Sequence, residues 1–168
     1  TLRVFYSGSV TLAINPPWEG GWVFTEDKMG RPWVTVTSHG QSGTSIWFPS
    51  KDHQSDEPDL GMTIRIIVPN HLTGVSNGRL IATEHLPDDR TAYKWEVKNT
   101  INAYSIIPYI GKYVEIKDSY VGERGLLDLN YWVLDYNYDL AKVYFPKETK
   151  PTLAAFEYWF GPYPFYED

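Results

Sequence analysis

The stretch Val121–Phe145, "VGERGLLDLNYWVLDYNYDLAKVYF", holds the change of period that decides the fold. Up to Leu134 it reads as a turn followed by a strand, "LLDLNYWVL", rich in aromatic and branched residues. Beyond it, Leu140, Val143 and Tyr144 fall at i, i+3 and i+4, the spacing of one helical face. Pro146 is expected to stop that helix. A second helix is predicted to follow, with Thr149 as N-cap and Pro151 in its first turn. It carries Leu153, Phe156 and Phe160 inward and ends at Gly161.

Everything before this switch reads as β. "TLRVFY" (1–6) alternates, with Leu2, Val4 and Tyr6 on one face, and "RPWVTVTS" (31–38) and "MTIRIIVP" (62–69) are bounded strands. "AYSIIPYIGKYVEIKD" (103–118) supplies one or two more. Turn signals separate them: "NPPWEGG" (15–21), "DKMGRP" (27–32), "VSNGRL" (75–80) and "LPDDR" (86–90). Asn77-Gly78, between Val75 and Leu80, is the strongest hairpin signal among them. The predicted class is mainly β, an antiparallel sandwich or saddle-like sheet followed by a short C-terminal helical segment. A domain boundary is expected near 118–125, giving a β-domain over 1–124 and a second unit over 125–168.

Composition removes several function classes. The formal charge of −6 disfavours nucleic acid, which requires a concentrated cationic face. With no cysteine there is no disulfide, thiolate metal site or cysteine nucleophile. No apolar run reaches the roughly 18 residues that span a bilayer, so no membrane span is expected. Thr1 is not an initiator Met and no signal peptide precedes the first strand-like residues, so both ends are expected to be cut from something longer. Compartment is unassigned.

The densest polar stretch is "WFPSKDHQSDEPD" (47–59). Its single imidazole, His53, stands with Asp52, Asp56, Glu57 and Asp59, whereas a zinc centre draws on two or three closely spaced imidazoles. His39 and His71 are distant along the chain. The reading preferred here is a polar turn whose aspartates cap backbone N–H groups. Ser7 in "YSGS" and Ser42 in "GQSG" lack the strand–turn–helix setting of a nucleophile elbow. Acidic pairs such as Asp88-Asp89, or Glu123 with Asp128, are unavoidable among 21 acids. Trp18, Trp22, Trp33, Trp47 and Trp95 fit two functions: rings that fill a core, or a platform that grips sugar faces in a carbohydrate-binding module.

Four ordered motifs then resemble one family, the aminopeptidase N-like zinc metallopeptidases. They are "SIWFPSKDHQSDEPD" (45–59), "VSNGRL", "INAYSIIPYIGKY" (101–113) and "LAAFEYWFGPYPF" (153–165), the last resembling the helix and turn that open the family's catalytic domain. The resemblance implies that the chain is a non-catalytic N-terminal portion of a zinc aminopeptidase that removes N-terminal residues from peptides. In that family G-x-M-E-N and then H-E-x-x-H with a downstream glutamate follow FGPYPF, and none of these occurs here. Zinc is therefore implied for the longer parent and none for this chain; early β-strands and the remainder of the catalytic domain are implied to be missing. The family also places a Gln or Glu nine residues before the proline of W-[WFY]-P, to help hold the substrate's α-amino group. Counting back from Pro49 gives Gly40; its neighbour Gln41 is the implied substrate-binding residue, with His39 the other candidate. An open sheet edge or the helix face around Leu153, Phe156 and Phe160 is expected to support self-association.

Overall fold

A computed structural model describes residues 2–38 and 43–168. Among the described residues nine strands form three antiparallel sheets ahead of one α-helix: β1 Gly21–Glu26, β2 Pro32–Thr37, β3 Met62–Pro69, β4 Thr73–Val75, β5 Arg79–Leu86, β6 Arg90–Val97, β7 Tyr109–Gly111, β8 Tyr113–Gly122, β9 Gly125–Leu134 and α1 Tyr138–Phe160. The sheet orders are β1-β2-β7-β4, β3-β6-β5 and β8-β9. The local turn chemistry behaves as the sequence implies. The Asp27 carboxylate accepts the backbone N–H groups of Met29 (2.8 Å) and Arg31 (3.0 Å) and so closes the β1–β2 hairpin. Residues 87–89 close β5 onto β6, opposing Leu86 to Arg90. Residues 118–125 run from the second half of β8 through a two-residue turn to the first residue of β9, and the two strands pair over their full lengths.

Three sequence expectations are corrected. Residues 2–6 form no strand; Leu2 and Phe5 are exposed, and Leu12 is joined to Trp22 by an isolated bridge. Alternation alone cannot hold an extended segment without a neighbour to take its hydrogen bonds. The Asn77-Gly78 turn is present but closes no hairpin, because β4 pairs with β7 while β5 pairs with β6. Asn77 instead accepts the Ile107 N–H at 3.0 Å, and Gly78, at φ 78°, passes so close to the Glu96 carbonyl that a side chain would collide with it. The turn therefore carries the chain from one sheet to another.

The third correction is the helix, which runs unbroken for 23 residues with Pro146 and Pro151 inside it. Each proline removes one backbone donor, a cost of roughly 3 kcal/mol in a helix interior. The helix offsets this by anchoring to the β8–β9 hairpin. Ala141 joins Ile116 and Val133 in a small core, the Lys150 ammonium pairs with Asp118 at 2.8 Å, and Glu157 is 8% exposed. The Glu157 carboxylate accepts the Tyr120 hydroxyl (2.7 Å) and the Glu123 N–H (3.1 Å), and its proximity pushes the Tyr120 phenol up to about 12. Leu153 is half-buried, but Phe156 and Phe160 point outward rather than inward. The inward line at this end of the helix is polar.

The main core gathers Ile66, Val68, Leu72, Val75 and Trp95, with Ile64, Leu80, Tyr93, Ile110, Tyr113 and Trp132 packed against it. Trp95 on β6 is 2% exposed, donates its indole N–H to the Gly74 carbonyl of β4 (3.0 Å), and meets Trp132 of β9 edge-on at 5.4 Å. One side chain thus touches all three sheets. Truncating so large a buried ring leaves a cavity and orphans the Gly74 carbonyl. Trp95→Ala is expected to lower unfolding stability by about 3–5 kcal/mol in urea titrations. A loss below about 1 kcal/mol would show that the sheets do not depend on this ring.

Candidate functional site

Strand β2 ends where Thr37 donates its hydroxyl to the Glu19 carbonyl at 2.8 Å, and the next residue, Ser38, is buried. His39, Gly40, Gln41 and Ser42 lie outside the described residues, so the implied substrate-binding position Gln41 and its alternatives His39 and Gly40 have no assigned geometry. The chain resumes at Gly43 and makes a single 3-10 turn over Thr44–Ile46. There the Ser45 N–H donates to the Asp52 carboxylate at 2.9 Å and the Ser45 hydroxyl donates to its other oxygen. Those bonds favour the ionised form and hold Asp52 below the ordinary aspartate value of 3.8.

Two further acids of "WFPSKDHQSDEPD", Asp56 and Glu57, have separate partners. Asp56 faces Lys51 at 3.4 Å, and Glu57 accepts the Asn102 side-chain amide, which also reaches the Gln54 carbonyl at 3.3 Å. Among the described residues no group of three or more His, Asp or Glu side chains could hold a metal ion. His53 Nδ1 lies 2.7 Å from the Ser55 hydroxyl, superficially a base beside a nucleophile. The two residues are only two apart in an exposed turn, and the Ser55 backbone N–H also reaches Nδ1 at 3.3 Å. Among the described residues no third group orients the ring, so the pair is a local turn and not a catalytic couple.

The other acidic pairs separate likewise. Asp88 pairs with Arg90, while Asp89 occupies the turn at φ 55°. Asp128 pairs with Arg79 at 2.8 Å. Arg79, which motif reading passed over inside "SNGRL", lines a cleft of about 430 Å³ between β5–β6 and the β8–β9 hairpin, together with Trp95 and Trp132.

The tryptophans do not make a sugar platform. Trp95 is core, and Trp33 is half-buried with its N–H on the Tyr113 hydroxyl at 2.7 Å. Trp47 is half-buried and meets Trp22 at 87° and Phe48 at 74°. Trp18 is exposed, while the exposed neighbours Tyr158 and Trp159 cross at 88°. Trp22 lies nearly parallel to Phe24 (25°, centroids 6.0 Å apart), but gripping a sugar ring calls for flat exposed faces in a common plane, and the pairs made by Trp47, Trp95 and Trp159 stand edge to face.

The geometry of the loop makes a pH-dependent contribution. Because the folded pKa of Asp52 is depressed, its stabilisation is present above the unfolded value near 3.9 and is lost as pH falls through the folded value. Asp52→Asn is therefore expected to lower stability at neutral pH and to flatten the decline between about pH 5 and pH 2. Chemical denaturation across that range measures it; an unchanged acid limb would remove Asp52 from the account.

No protein-family model and no curated protein sequence matches the chain. Solved structures do. The M1 zinc metallopeptidase of Deinococcus radiodurans bound to a Tyr-Ser-Ala substrate aligns with a TM-score of 0.72 and 19% identity, covering 94% of this chain and 34% of that one. A two-domain M1 zinc metallopeptidase bound to L-tryptophan gives a TM-score of 0.73 at 19% identity, covering 94% and 35%. The Deinococcus radiodurans metallopeptidase in a further structure gives 0.64 at 18% identity, covering 88% and 32%. At this identity the likeness is one of fold. The chain spans about a third of the length of the metallopeptidases it matches.

Proposed function

We propose that this chain is the N-terminal portion of a zinc aminopeptidase, supplying the β body and one edge of the substrate site without carrying out chemistry itself. The observation that carries this reading is a fold shared over 94% of the chain with metallopeptidases three times as long. The ordered motifs from "SIWFPSKDHQSDEPD" to "FGPYPF" point to the same family. On this reading residues 1–124 form the N-terminal β-domain and 125–168 open the catalytic domain. The substrates of the longer protein are peptides with a free N-terminus. The described residues here offer no ligand set for its zinc, which would be held elsewhere in that protein.

Within the chain, the segment between Ser38 and Gly43 is the part assigned to substrate. Gln41 would accept an N–H of the peptide's α-ammonium through its amide oxygen, with the Ser45–Asp52 bonds holding the far end of the loop. Losing one hydrogen bond to a charged group costs roughly 1.5–3 kcal/mol. In the zinc-loaded longer protein, Gln41→Ala is expected to lower kcat/KM for free-amine peptides about ten- to a hundredfold at unchanged stability. Normal turnover in that variant beside a crippled His39→Ala would move the anchor to His39. Normal turnover in both would leave this loop no part in binding.

The same reading accounts for the outward aromatics of α1: Trp159 is 74% and Phe160 82% exposed, a face suited to cover by more chain. In the 168-residue chain by itself, this face is expected to drive self-association. Sedimentation coefficients should rise with concentration, and Phe160→Glu should abolish the rise; a monomer at every concentration would rule it out.

A further inference from the structure

Beyond α1 the chain folds back onto the β body, and Arg79 meets it. Arg79 Nε donates to the Glu167 carbonyl at 2.9 Å and Nη2 to the Tyr166 carbonyl at 2.8 Å. Its remaining nitrogen, Nη1, donates to Asp128 on β9 at 2.8 Å. Next along the tail, the Asp168 carboxylate accepts the backbone N–H groups of Lys98 and Asn99 (3.1 Å) and the Asn99 side-chain amide (2.9 Å), just past the end of β6. Three consecutive tail residues are thus bound to Arg79 at the start of β5, which is itself paired with β9, and to the segment after β6.

The choice of arginine matters. A guanidinium is a rigid planar fork, and two of its N–H groups on successive carbonyls fix the orientation of the intervening peptide plane. An ammonium on a flexible stem makes one such contact without fixing direction. Because both acceptors are backbone carbonyls, Arg79 responds to the path of the tail and not to the side chains of Tyr166 and Glu167. Asp128 holds the third nitrogen, so the fork itself is aimed from a second strand.

We propose that Arg79 is a positioning residue that fixes the path of residues 166–168 along the β body. On the aminopeptidase reading above, on which this last step rests, it thereby sets the placement of the catalytic region against the β body. On this proposal the Arg79 fork presents Asp168 to Lys98 and Asn99, where the Glu167 carboxylate also meets the Asn99 amide at 3.4 Å.

Amide hydrogen exchange on the 168-residue chain tests the positioning directly. In Arg79→Ala the Lys98 and Asn99 amides, which Arg79 does not touch, are expected to exchange about tenfold faster or more, while the β3–β6 ladder keeps its rates. Arg79→Lys, which retains the charge beside Asp128 and keeps the variant folded, is expected to show the same local loss. Unchanged protection at Lys98 and Asn99 in both variants overturns the proposal. So does a wild-type pattern in Arg79→Lys beside a loss in Asp128→Asn, which would reduce Arg79 to an ion-pair partner. In the longer protein, Arg79→Lys is expected to lower kcat severalfold with KM nearly unchanged. A wild-type longer protein with no aminopeptidase activity would sink the functional reading, while the exchange data would still decide the positioning.

Discussion

The burial of Trp95 is the constraint on which the β body depends. Its strand, β6, is central in its own sheet, its indole N–H closes on a carbonyl of the four-stranded sheet, and its ring packs in a T-shaped contact on Trp132 of the third. The approach of β4 is close enough that a Cβ on Gly74 would sit 2.6 Å from Ile66 Cγ2, so glycine is required where the sheets meet. A large aromatic with one polar handle suits this place: the ring supplies apolar area in two directions while the N–H fixes its rotation. The three sheets therefore behave as one packed body, even though among the described residues no backbone ladder connects them.

Charge ties the periphery to this body. Arg31, at the β1–β2 turn, forms a bidentate pair with Asp135 at the entrance to the helix and also pairs with Asp27, and the two carboxylates hold its own pKa above the ordinary arginine value. Asp135 is held below the usual aspartate range chiefly by its hydrogen bonds to the same guanidinium, and Asp27, against the desolvation that acts to raise it, by the Arg31 backbone N–H, then the guanidinium and the Met29 N–H, which together outweigh that burial. Both arginine forks, Arg31 and Arg79, join segments remote in sequence, and both use aspartate to aim the guanidinium. The short polar contacts of residues 44–57 serve a humbler end, holding a loop in shape beside the residues assigned to substrate.

What was legible in the sequence was local. "DKMGRP" and "LPDDR" specify tight turns through side chains that bond within their own few residues, and "MTIRIIVP" and "LLDLNYWVL" carry their strand character in composition. The capping role of Asp52 could be anticipated for the same reason. What stayed hidden depends on distant partners. Asn77-Gly78 has hairpin chemistry, yet its amide oxygen is taken by Ile107, 30 residues away. Residues 2–6 have a strand's alternation and no strand to pair with. Arg79 gave no motif signal because its partners lie 49 to 88 residues along the chain.

The prolines of α1 have a consequence for the order of assembly. An isolated helix nucleates with difficulty, and two interior prolines strip it of the donors that would propagate it past Lys142 and Lys147. The Thr152 hydroxyl, bonded back to the Glu148 carbonyl at 2.8 Å, restores little of that. The β8–β9 hairpin, by contrast, closes across a two-residue turn and pairs ten residues with ten, so its contacts are cheap in loop entropy. The hairpin is then the template and the helix the follower: Ala141, Lys150 and Glu157 find their seats only on strands already paired. Helicity in this segment is a report on the hairpin beneath it, and a lesion at the β8–β9 turn would melt a helix whose own sequence was untouched.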